Sequence, residues 1–218
     1  MLTLIAEITC LSFAFIAGCF TWKRLSPFFK VLFLQVLVWI IVYTCGNIIT
    51  YQQQLINQPV DNQWLMNIHL VLETGLLLWA AQFMYRKTNG RWFLIAGGAG
   101  FAVVYIAQVA LNGFQHYLHY ADLTECIVIT LVFAPILHNS PNGKTGLSLR
   151  TACVALLVYF ACSVPYVSFM DYLQQHSPEL NSRLYHFISD VLANLRYALI
   201  ALAFVIHYRN NKTERIRK

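Results

Sequence analysis

The sequence predicts an all-α polytopic membrane protein, a seven-transmembrane-helix bundle with its N-terminus outside and its C-terminus in the cytoplasm. Three observations carry this prediction. The 218-residue chain is 58% apolar and only 11% charged, outside the range of water-soluble domains. Apolar runs of roughly 20 residues, enough to cross a bilayer at a helical rise of about 1.5 Å, recur along nearly the whole length. Thirteen of the fifteen basic residues fall in alternate inter-helix segments and the tail, a bias of the kind that sets membrane orientation.

The first predicted helix runs from Leu2 to Phe20. It lacks the positive leader of a cleaved signal peptide and is followed by Lys23 and Arg24, so it reads as an uncleaved anchor with its start outside. The others, in order, are Val31 to Thr50, Trp64 to Tyr85, Trp92 to Leu111, Tyr117 to Leu137, Thr151 to Met170 and Leu184 to His207. They form one domain over residues 1–208, with a basic cytoplasmic tail over 209–218. Lys23, Arg24 and Lys30, then Arg86, Lys87 and Arg91, then Lys144 and Arg150, and the tail's Arg209, Lys212, Arg215, Arg217 and Lys218 all fall on one side. The opposite loops hold only Arg183, while Arg196 lies within the last helix. Trp22, Tyr85, Trp92 and Tyr208 fall at the inner boundary and Tyr51, Trp64, Tyr117 and Tyr172 at the outer one, where amphipathic rings prefer to sit. Turn formers mark the loops Gln52 to Asp61, with Pro59, and His138 to Lys144.

Two local features invite a choice. Ala96-Gly97-Gly98-Ala99-Gly100 is read as a close-packing surface, because no strand precedes it and no Lys-Ser/Thr comes after it as in a phosphate loop. Pro165 is expected to kink the sixth helix, with Ser163 helping to satisfy the freed backbone. The six cysteines are scattered, without a CxxC, and read as small buried thiols. A net charge of +6 placed in topology-setting loops argues against nucleic-acid binding and for contact with anionic lipid at the inner face.

The candidate site comes from polar residues inside apolar helices, where a charge is costly and faces the bundle interior. His69 and Glu73 sit in the third helix, His119, Asp122 and Glu125 in the fifth, and His186, Asp190, Asn194 and Arg196 in the seventh. Counted from the expected outer boundary, Glu73, Glu125 and Asn194 all lie roughly 12–15 Å deep, so these groups share one layer. Spacings of three and four place each set along one helix face. The set reads as a ligand pocket of His69, Glu73, Asp122, Glu125, Asp190 and Asn194, open to the outside and suited to a small polar or cationic ligand. Arg196 is expected to form a structural ion pair with Glu7, because first and last helices of such bundles touch; Glu125 is the alternative partner.

A second reading is a metal site, zinc or iron, with His69, His119, His186 and Asp190 as ligands. The protein would then be a metal-dependent lipid hydrolase with Glu73 as catalytic base. A third is a proton- or cation-coupled carrier, ranked last because the helices turn apolar below Glu73, Glu125 and Arg196 and no inverted repeat is visible. The first reading implies a sensor- or receptor-like protein, or an accessory subunit. Its partners would be the bilayer, a small-molecule or lipid ligand, and a membrane or cytoplasmic protein.

The helix ending Trp22-Lys23-Arg24-Leu25-Ser26-Pro27, and the third helix with Asn67-Ile68-His69 and Glu73, make the layout similar to small seven-helix membrane proteins of bacteria whose function is uncharacterised. The frame also resembles the seven-helix sensory modules of bacterial signalling proteins. That resemblance implies an integral protein of the bacterial cytoplasmic membrane. Retinal-binding rhodopsins need a lysine in the last helix, and this stretch has none. The ceramidase and adiponectin-receptor superfamily uses three histidines with an Asp and a Ser. The residue types are present, but no HxxxH stands in the last helix.

Overall fold

A computed structural model describes residues 2–55, 62–85, 90–141 and 143–216. Pro59, Asp61, Arg86, Lys87, Asn142, Arg217 and Lys218, invoked above for loops and charge bias, lie outside the described residues, as do the side chains of Lys144, Lys212 and Arg215. The described chain is helical without strands: α1 (Leu2–Thr21), a 3₁₀ turn (Trp22–Arg24), α2 (Pro27–Leu55), α3 (Gln63–Gln82), α4 (Arg91–Asn112), α5 (His119–His138), α6 (Lys144–His176), α7 (Pro178–His186), a π-helical segment (Phe187–Leu192) and α8 (Ala193–Ile216).

Among the described residues, six helices are long and apolar enough to cross a membrane: α2 to α6, and the continuous rod from Pro178 to Asn210. They mark a multi-pass integral membrane protein. Their outward faces agree with that. On α4, Trp92, Ile95, Val103, Ile106 and Leu111 are all exposed, which water would penalise and hydrocarbon does not.

Several helices outrun the expected segments. Ser26-Pro27 starts α2 four residues early, because proline is pre-set for a first helical turn and its missing N–H would be unsatisfied there anyway. The α6 helix begins at Lys144 and runs 33 residues, continuous through Pro165. Ser163 Oγ donates to the Tyr159 carbonyl at 2.8 Å. It therefore serves its own i−4 carbonyl, not that of Ala161, whose N–H partner the proline removes.

Helices pack in chain order as a ring, each against its sequence neighbours, with α8 closing onto α1 and α6 and with α3 touching α5 across the middle. The main core, which includes Leu11, Phe28, Leu77, Phe133, Phe160 and Phe204, is drawn from α1, α2, α3, α5, α6 and α8. Gly97 lets α4 settle on α5, since a Cβ there would lie 2.9 Å from Val128 Cγ1. The close-packing reading holds for Gly97, whereas Gly100 has open space. At the other end, Arg24 lies over the Tyr208 ring at 4.7 Å and His207 Nε2 accepts the Ser26 N–H at 3.2 Å. The turn after α1 is thereby tied to the end of α8.

Candidate functional site: a buried carboxylate–guanidinium hub

Glu73 is the centre of the polar interior. It is 5% exposed, and its Oε1 accepts Arg196 Nη1 at 2.8 Å and Gln35 Nε2 at 2.7 Å. One carboxylate thus joins α2, α3 and α8. Its second oxygen stands 3.6 Å from His69 Nδ1, one turn earlier on α3. Arg196 is 3% exposed and is boxed by aromatic rings, with its guanidinium carbon 4.1 Å from the Tyr159 centroid and 5.6 Å from that of Phe160. Its Nη2 also donates to the Tyr197 hydroxyl. A buried cation survives such a setting because charged hydrogen bonds and ring faces replace its water.

The expected Arg196–Glu7 pair does not form. Glu7, on α1, engages the Tyr43 hydroxyl of α2 and lies within electrostatic reach of Asp190. Arg196 takes Glu73 instead, since that carboxylate reaches the guanidinium inside the bundle. Glu125, the alternative partner, is 2% exposed and contacts Thr74 Oγ1 at 2.8 Å.

The remaining expected residues divide into three places. His69 packs against Trp39 of α2, ring centroids 4.6 Å apart, with Nε2 buried and unpartnered. Asp122 is half-buried and accepts the Tyr117 hydroxyl, with Cys126 Sγ at 3.8 Å. Outside the helices, the Tyr117 phenol is held well above its ordinary range by desolvation first and the Asp122 carboxylate second, so it remains an O–H donor. His119 sits beside the Tyr120 ring at 5.1 Å. On the last rod, Asp190 stands on the π-helical segment. His186 Nδ1 lies 3.2 Å from Asp190 Oδ2, Ser189 Oγ donates to Oδ1 at 3.1 Å, and Asn194 Nδ2 donates to its backbone carbonyl. The His186 side chain is 65% exposed and that of Asp190 25%.

The residues expected in one pocket therefore fall into a closed hub (His69, Glu73, with Arg196), a neighbouring acid layer (Asp122, Glu125) and a more open cluster (Asp190, Asn194, with His186). The expected zinc or iron ligands are not brought together. Of His69, His119, His186 and Asp190 only the last two meet, and among the described residues no three His, Cys, Asp or Glu side chains form a group that could hold a metal ion. A cavity of about 490 Å³ lies elsewhere, between α6 and the α7–π stretch, and its lining of Cys162, Pro165, Tyr166, Phe169, Leu184 and Phe187, among others, is overwhelmingly apolar.

Gln35, Trp39, Thr74, Tyr159 and Tyr197 belong to the hub region and escaped the sequence reading. Gln35 had a signal, a lone amide in the apolar run from Val31 to Val42. The π-helical turn had none. No family model, curated protein or solved structure matches this chain.

Proposed function

We propose that the protein is a non-enzymatic, sensor- or receptor-like membrane module that binds a small cationic ligand at the Asp190 cluster and signals through the Glu73–Arg196 pair. The observation that carries this reading is the π-helical segment. It holds the partly exposed Asp190 and lies four residues before the wholly buried Arg196 on one rod. A π turn carries an extra residue relative to α geometry and is frequent at functional sites. Converting it to α geometry would shift the downstream part of the rod, relative to the part before it, by about one residue, or about 1.5 Å and roughly 100°. Arg196 would then leave Glu73, and α3 would be freed from α8. Two carboxyl groups within electrostatic reach, Glu7 and Asp190, together with the Tyr43 hydroxyl favour a cationic ligand over an anionic one. The expected N-outside orientation places this cluster toward the exterior, and the basic inner segments toward anionic lipid or a cytoplasmic partner.

The test is thermal unfolding of the purified protein in lipid nanodiscs against a panel of small primary and quaternary ammonium compounds. At least one compound is expected to raise Tm in the wild type and to lose that effect in Asp190→Asn. No stabilisation by any compound, or stabilisation unchanged in Asp190→Asn, contradicts the assignment.

The carrier is the second reading. It is favoured by the excess of acids in the interior, since Glu125 has two carboxyl groups, Glu73 and Asp122, and one arginine, Arg196, within electrostatic reach.

A further inference from the structure

Glu73 and Glu125 are buried to nearly the same degree in neighbouring helices, but their surroundings differ in kind. Glu73 receives a guanidinium and an amide N–H. Among the described residues no Lys, Arg or His comes within ion-pair distance of Glu125. The charged groups that act on it are Glu73 from α3, Asp122 from its own helix and Arg196 from α8, two negative against one positive and already committed. The charged residues of α4 and α6, the other helices against α5, lie toward their ends. On α6, Tyr159 turns its ring to Arg196.

A count of hydrogens sharpens the contrast. Thr74 Oγ1 lies 2.8 Å from the Leu70 carbonyl oxygen and 2.8 Å from Glu125 Oε1, both ordinary O–H···O lengths. The hydroxyl has one hydrogen and the carbonyl has none. Both contacts are hydrogen bonds only if Glu125 supplies the second hydrogen. With Glu125 ionised, one pair of lone-pair-bearing oxygens would face each other without a proton, in a site where an unpaired charge is already heavily penalised.

We propose that Glu125 is a proton-binding site in the bundle core, held as a neutral carboxylic acid that donates to Thr74 Oγ1, while Thr74 donates to Leu70. The two core glutamates are then in opposite states, with Glu73 charged against Arg196 and Glu125 protonated against Thr74. The proton is a resident ligand of the fold, and its release would place a second negative charge beside the hub. This assignment stands independently of the sensor reading, because it rests on the Thr74 contacts and not on the Asp190 cluster.

Infrared spectroscopy of the protein in lipid bilayers at neutral pH tests it, since a carboxylic acid has a C=O stretch that a carboxylate lacks. The wild type is expected to show such a band, shifted by ¹³C-glutamate labelling, lost in Glu125→Gln and moved to higher wavenumber in Thr74→Val, where the acid loses its acceptor. Glu125→Gln is expected to melt near the wild type, because a neutral amide can also donate to Thr74. A spectrum in which Glu125→Gln removes carboxylate absorption and leaves the acid region untouched overturns the proposal. Should Glu125→Gln fail to fold, the labelled wild type and Thr74→Val decide: an acid band unmoved by both overturns it equally.

Discussion

Within the hub, Gln35 isolates the value of one neutral donor to a buried charge. Its Nε2 shares Glu73 Oε1 with Arg196, so removing it leaves the ion pair in place but under-solvated. Gln35→Leu keeps the volume close and is expected to destabilise by about 1.5–3 kcal/mol, the range for a hydrogen bond to a charged group. The measurement is chemical or thermal unfolding in one fixed detergent. Individual polar residues at this scale were legible in the sequence: Glu73, Asp122, Glu125, Asp190 and Arg196 each stand out in an apolar run. Their pairing was not. Depth along a helix comes from the rise per residue, but which carboxylate meets Arg196 depends on helix rotation and neighbour order. Those are set by packing, and so Glu73 has the place that Glu7 was expected to take.

Among the elements, close approach is the controlling variable. The Gly18 position on α1 faces Phe33 of α2, and a Cβ there would collide with the Phe33 ring. Phe33 cannot yield easily, being buried and held between Phe15, Trp22 and Phe204. Gly18→Ala is therefore expected to destabilise by about 1–3 kcal/mol through overpacking, read as a lower Tm. At Gly100, where nothing lies within 4 Å, the same change is expected to be mild. Helix existence was readable from apolar run length, whereas helix ends were less so. The α6 helix extends past both expected limits because polar flanks such as Asp171 to His176 continue a helix that hydropathy alone truncates. The π-helical turn was invisible for a related reason: it is a register defect within an ordinary helical composition, without proline or glycine to announce it.

Across the whole molecule, the ring closes where α8 meets α1 and α6, and the hub spans that closure to α2 and α3. Class was legible at this scale, because 58% apolar content and repeated crossing-length runs leave few alternatives. The single open polar pocket was not the outcome, since its residues are divided among a sealed hub, a neighbouring acid layer and a cluster on the π turn. Glu73–Arg196 is the fastening that holds the last rod to α3, and a double-mutant cycle tests that most directly. Unfolding of the wild type, Glu73→Gln, Arg196→Gln and the double variant would be compared in the same lipid nanodiscs. Each single change strands a buried partner and is expected to cost about 3–5 kcal/mol, with the double variant costing markedly less than their sum and a coupling of about 2 kcal/mol or more. Additive single effects, or singles within about 0.5 kcal/mol of the wild type, would contradict it.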